Sequence, residues 1–144
     1  MIPIYKPVIS NKAHKYVKDC MDTNWISSQG TYINKFENAL SKFHQMKYCV
    51  VTSSCTTALH LSILSLDLKK GDEVICSALS FIAPANMVLL SNLKLVLVDI
   101  NPKTLNIDED KIENKISIKT KAILVVHQFG HSVNMKKINN IKKK

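Results

Sequence analysis

Residues able to do chemistry gather where apolar runs end. In "VVTSSCTTALHLSILSL" (50–66) a strand-like run breaks at Thr52, Ser53, Ser54, Thr56 and Thr57, and helix spacing then takes over. A helix that starts at Thr56–Thr57 directs free amide N–H groups and hydroxyls to its positive end, which suits a phosphate dianion. The dipole contributes about 0.3–1 kcal/mol, and hydrogen bonds to a charged acceptor contribute roughly 1.5–3 kcal/mol each, so the hydrogen bonds decide the affinity. Ser and Thr also cap helices without binding anything, and the motif alone leaves that alternative open. Neither Gly-x-x-x-x-Gly-Lys nor Gly-x-Gly-x-x-Gly follows the strand, which excludes a Walker A loop and a dinucleotide fingerprint. Phe81, just past "VICSALS", could cover a planar ligand at a gain of about 0.5–1.5 kcal/mol, or could be a core residue. His127 and His131 are four apart but straddle Gly130, so a helical metal site is not expected, nor is a metal anywhere else.

The elements that must position these residues follow from periodicity. Residues 1–9 should be extended, held open by Pro3 and Pro7. Helices are expected from Ser10, an N-cap, to Met21 and from Thr31 to Phe43, the latter with Ile33, Phe36, Leu40 and Phe43 on one stripe. Between them "TNWISSQG" is a polar loop with the only tryptophan, Trp25. Strands then alternate with helices. "KYCVV", "EVICS", "LKLVLVD" and "KAILVVH" are the strands; 56–66, "FIAPANMVLLS", "IDEDKIENKI" and a lysine-rich end are the helices. Pro84 falls in a first turn, where its ring costs little. Strands that are apolar throughout, with helices between them, predict an α/β fold: a mostly parallel sheet with helices on both faces. Ligands of such sheets bind at the carboxyl ends of the strands, where 52–57, 77–81, Asp99 and 127–130 fall.

Bulk properties narrow the function classes. A chain of 144 residues can bury roughly two thirds of its unfolded surface, and 46% hydrophobic with 22% charged residues reads as an ordinary globular protein. The net charge of +9 comes entirely from lysine, scattered except in "MKKINNIKKK". Base recognition leans on the bidentate guanidinium, so no nucleic-acid partner is expected. Nor is a membrane partner, because no apolar run is long enough to span a bilayer. With no signal-peptide layout at the N-terminus, the expected location is cytoplasmic. Cys20, Cys49, Cys55 and Cys76 lack Cys-x-x-Cys spacing, and the two in apolar strand-like runs read as reduced, buried thiols.

Taken in order, "WISSQGTYINKFENAL", "VVTSSCTTALHLSILSL", "KKGDEVICSALSFIAPANMVLL", "LVLVDINPKTLNIDEDKIENKI" and "TKAILVVHQFGHSVNM" resemble the N-terminal portion of the DegT/DnrJ/EryC/StrS sugar-nucleotide aminotransferases. These are enzymes that use pyridoxal 5'-phosphate (PLP). The resemblance covers nearly the whole chain. It implies the N-terminal part of a PLP-dependent transferase (fold type I) large domain, with an extended and helical segment at 1–45 and an α/β core at 46–144. It implies that Thr56 and Thr57 hold the cofactor phosphate, Phe81 stacks on the pyridine ring and His127 lies near the cofactor. Trp25 and Ser28, in "WISSQG", would border the sugar-nucleotide site near a dimer interface. Two positions depart from the family pattern: Cys55 replaces a common glycine and His131 a common glutamine.

The resemblance also implies what this stretch does not carry. The Schiff-base lysine and the acidic partner of the pyridine nitrogen lie beyond it, so no catalytic residue is expected here. Without that partner to keep the ring nitrogen protonated and that lysine to move protons, the cofactor cannot act as an electron sink. The expectation is therefore an N-terminal fragment, inactive alone, of a homodimeric enzyme. The parent would move an amino group from glutamate to a keto-sugar nucleotide in polysaccharide or deoxyaminosugar biosynthesis. Alternatives are a non-catalytic remnant, or a fragment of a PLP-dependent sugar dehydratase of the same superfamily. The second, third and fourth strands should form one parallel block with the second in the middle. The first, "KYCVV", belongs beside strands this chain does not supply.

Overall fold

A computed structural model describes residue 2 and residues 6–142. The extended conformation expected at 1–9 therefore falls partly, with Pro3, outside the described residues. The chain forms two compact units that meet in sequence at Val51 and Thr52.

The first unit is built from α1 (Asn11–Asp22) and α2 (Thr31–Phe43). Ser10 starts α1 as expected, its hydroxyl accepting from the Ala13 N–H at 3.1 Å. Tyr16 and Tyr32 stack in a tilted pair with centroids 4.8 Å apart, and the Tyr32 hydroxyl donates to Asp19 at 3.0 Å. Neither helix contains a buried residue. The α2 stripe has the expected period, yet Phe36 and Phe43 on it are exposed.

The strand expected at "KYCVV" (47–51) does not form. A strand exists only through its ladder, and among the described residues no strand pairs with this segment. The Val51 N–H is instead taken by Glu37 Oε1 at 3.0 Å.

The second unit holds α3 (Cys55–Leu64), β1 (Glu73–Ser77), α4 (Ile82–Leu90), β2 (Lys94–Val98), α5 (Glu109–Ile112), β3 (Thr120–Leu124) and α6 (Met135–Lys142). Its three strands are parallel in the order β2-β1-β3, the block expected from the sequence. All five residues of "EVICS" are buried, because β1 has a strand on each side and a helical layer on each face. Alternation along β1 separates the two cores. Val74 and Cys76 pack with Ile63 of α3 and Val88 of α4. Ile75 packs with Val98, Ile107, Ile112 of α5, and Ile138 and Ile141 of α6. Helix α5 is shorter than "IDEDKIENKI" suggested, and a 3-10 turn continues it through Lys115. No helix among the described residues is long and apolar enough to cross a membrane.

Glu73 ties the amino ends of the strands together. Its carboxylate accepts from Ser117 Oγ at 2.6 Å, from Lys94 Nζ on β2 at 2.9 Å and from Thr120 Oγ1 on β3 at 3.2 Å. Those hydrogen bonds, led by the one from Ser117, hold its pKa down at about 2. The clamp lies opposite the end where ligands of such sheets bind.

Candidate functional site

Local chemistry fixes the start of α3. Ser54 is the N-cap, and its hydroxyl accepts from the Thr57 N–H at 3.2 Å. Thr57 Oγ1 in turn accepts from the Ser54 N–H at 3.2 Å and donates to the Ser54 carbonyl at 2.8 Å. This is a capping box with threonine in the place usually held by Glu or Gln. Thr52 Oγ1 adds a bond to the same carbonyl at 2.8 Å. Much of the hydroxyl crowd therefore builds the corner itself. The amides of Cys55 and Thr56, in the first turn, have no acceptor inside the helix. The half-buried Thr56 hydroxyl stands beside them, while Thr57 is engaged with the cap.

A cavity of about 250 Å³ opens beside the carboxyl ends of the three strands, lined by Ser77, Leu97, Leu124, Val126, Ser80 and Phe81 among others. Phe81 is the N-cap of α4 and 78% exposed, so it is not the core phenylalanine that the sequence left open. Ser77 Oγ donates to the Leu79 carbonyl at 3.0 Å and shapes the turn that carries Phe81. Ser80 Oγ is buried in this lining with no hydrogen-bond partner among the described residues. An unpaired buried hydroxyl is costly, at about 1–3 kcal/mol, and such an atom beside a cavity is suited to a ligand's polar group. The Cys76 thiol lines the same cavity, but burial pushes its pKa up to about 11, which leaves it a poor nucleophile.

His127 lies past β3 and is exposed. Its Nδ1 accepts from the Val133 N–H at 3.1 Å, which makes Nε2 the protonated nitrogen of the neutral ring. The following turn, Gln128–Gly130, places Phe129 in the left-handed region at φ 51°. Asn106, only 3% exposed, bridges to this turn from the segment after β2. Its Nδ2 donates to the His131 carbonyl at 2.9 Å and its Oδ1 accepts from the Gln128 N–H at 2.8 Å. At the end of β2, the Asp99 carboxyl is held below its usual range by a 3.0 Å bond from the Lys111 ammonium.

In the first unit, Trp25 and Ser28 line one concavity of about 480 Å³ with Gln29, Gly30, Thr31 and Asn34. The geometry thus pairs Trp25 with Ser28, and puts Phe81 on a cavity that neither Thr56, Thr57 nor His127 lines. Asn106 was not legible as a site residue, and Ser80 fell inside the 77–81 strand end without being singled out. "TLNID" reads as an ordinary turn, and a serine two before a helix reads as a cap.

A doubly covered parallel sheet with polar groups at its carboxyl ends defines an α/β ligand-binding domain, whatever the ligand. The particular lineage is the DegT/DnrJ/EryC1/StrS aminotransferase family, to which the chain belongs: its family model matches residues 7–144. Over 142 residues the chain is 40% identical to GDP-perosamine synthase of Escherichia coli O157:H7, which covers 99% of the chain and 39% of that protein. A 3-oxo-glucose-6-phosphate:glutamate aminotransferase of Bacillus subtilis is 45% identical over 114 residues, 79% of the chain and 26% of the relative. Among solved structures, E. coli GDP-4-keto-6-deoxy-D-mannose-3-dehydratase with bound hydrated PLP superposes with a TM-score of 0.90 at 31% identity, over 98% of this chain and 38% of that one. The chain spans about two fifths or less of the length of these relatives.

Proposed function

We propose that this chain is the cofactor-phosphate and ring-covering part of a PLP-dependent aminotransferase acting on keto-sugar nucleotides in polysaccharide or deoxyaminosugar biosynthesis. The observation that carries the reading is Phe81: a large aromatic ring left 78% exposed at the mouth of a polar-edged cavity, beside the unpaired Ser80 hydroxyl. The residue types suit a phosphorylated aromatic cofactor, with the α3 start and His127 lying outside the lining of the Phe81 cavity. First-turn amides of Cys55 and Thr56 and the Thr56 hydroxyl would hold the phosphate, with Thr57 fixing the helix start through its cap. Phe81 would cover one face of the ring and exclude water, and His127 would stand at its edge. Trp25 and Ser28 would line the sugar-nucleotide side of the site. The chemistry supplied by bound PLP is that of an electron sink. The residues that drive that chemistry, a lysine and an acidic partner, belong to the part of the family's sequence this chain does not span. Residues 1–144 would therefore bind without turning over, and the complete enzyme would be a homodimer using glutamate. The likeness to a PLP-bound sugar dehydratase supports a second reading, in which the same residues serve dehydration.

The test separates phosphate from ring recognition. Pyridoxamine phosphate has no aldehyde to condense with the lysines, so calorimetric titration of the full chain with it reports the site alone. Wild type should bind it more tightly than unphosphorylated pyridoxamine. Thr56→Ala should lose roughly ten- to a hundredfold, the range for a hydrogen bond to a charged group. Phe81→Ala should weaken both ligands alike. Equal affinity of wild type for both ligands would remove α3 from the phosphate site.

A further inference from the structure

We infer that Asn106 is the positioning residue that orients the His127 imidazole at the ligand end of the sheet. The inference deepens the proposed function, on which the relevance of His127 to a cofactor rests, but its geometry stands independently. His127 sits where β3 has ended, so the sheet ladder no longer fixes its backbone, and its ring is exposed. Something else has to hold it. Asn106 is 3% exposed and uses both ends of its amide on the turn that follows His127, accepting from the Gln128 N–H and donating to the His131 carbonyl.

Those two contacts bracket Phe129 and Gly130, both at positive φ. Phenylalanine resists that conformation, because its Cβ crowds the carbonyl, so the turn needs outside support to keep its shape. The turn's shape in turn sets where the Val133 N–H points, and that N–H donates to His127 Nδ1 at 3.1 Å. The chain of contacts is thus Asn106 to the turn, the turn to Val133, and Val133 to the ring. Val133 is itself 4% exposed and packed in the core with Ile107, the residue after Asn106. One buried amide on the β2 side therefore selects the Nε2–H tautomer of a histidine on the β3 side.

The experiment reads the ring directly. In nitrogen-15 spectra of the full chain at mildly alkaline pH, wild-type His127 should show one tautomer, with Nδ1 unprotonated and Nε2 protonated. Asn106→Ala should move both nitrogens toward the averaged values of a free imidazole. It should also cut hydrogen-exchange protection of the Gln128 amide roughly tenfold or more, the effect of one lost hydrogen bond, while Val74–Cys76 keep theirs. Asn106→Asp retains the acceptor for Gln128 but faces the His131 carbonyl with an oxygen, so its effects should fall between wild type and Asn106→Ala. That graded order also covers the case in which Asn106→Ala fails to fold. An unchanged His127 tautomer in Asn106→Ala, or in Asn106→Asp, where the contact with the His131 carbonyl is lost, would overturn the assignment. Because the readout needs no cofactor, failure to bind pyridoxamine phosphate would count against the proposed function alone.

Discussion

Helix α2 and strand β1 both carry apolar residues at the period of their element, yet β1 is buried throughout and α2 holds no buried residue. The same contrast separates "KYCVV" from "EVICS": both are short β-prone runs, and only the second becomes a strand. The difference lies in what surrounds them. β1 has β2 and β3 on its edges and helices on both faces, whereas among the described residues of the first unit there is no strand and no buried hydrophobic cluster. Pattern specifies which face wants burial. Burial itself depends on a partner surface, and stability follows burial at roughly 25 cal/mol per Å².

The largest expected effect is in hydrogen exchange of the full chain. Amides of β1, and those of β2 and β3 that bond to it, should outlast those of Tyr48–Val51 by on the order of a thousandfold, the gap between core elements and frayed segments. Equal protection of both regions would break the comparison. A mutational version should show the next largest effect. Ile75→Ala empties a fully buried position between the sheet and α6 and should cost roughly 2–5 kcal/mol. Phe36→Ala, at 55% exposure, should stay within about 0.5 kcal/mol in denaturant unfolding.

The subtlest effect is a pH dependence confined to the sheet. Glu73 titrates at about 2 when folded, against an ordinary 4.5, so the folded state binds fewer protons between those values. The clamp's contribution is full above about 4.5 and fades as the pH falls toward 2. Glu73→Gln should flatten the acid limb of the stability curve across that window, and melting between pH ~2 and ~5 would measure it. An unchanged limb would show that the three hydrogen bonds add nothing over solvent.

Much of the second unit was legible because its signals are local. The β1 and β3 runs are apolar and bounded by turn residues, and order along the chain gives a parallel block; in the first unit Ser10 and Thr31 likewise mark helix starts. The fate of "KYCVV" was not legible from propensity, since pairing is a property of neighbours. Thr56 and Thr57 stand at the helix start the sequence indicated, but that Thr57 closes a capping box with Ser54 depends on rotamers no pattern encodes. Asn106 was invisible for a related reason. Its two partners are more than twenty residues away, and buried amides are recognised only once the far segment is in place.

Cys76 turns the middle of the sheet into its own reporter. Its side chain is 3% exposed and its thiol is shifted up to about 11, so an alkylating agent at neutral pH meets almost no thiolate in the closed state. Burial and the raised pKa keep modification slow in the closed state, and it speeds when β1 separates from its neighbours. With fast reclosing, the labelling rate is the intrinsic thiol rate multiplied by the open fraction. Cys55, exposed at the first turn of α3, reacts without that wait and supplies an internal standard in the same sample. The ratio of labelling at Cys76 to labelling at Cys55, resolved by site from Cys20 and Cys49, therefore reads the open fraction of the central strand without denaturant, added dyes or engineered probes.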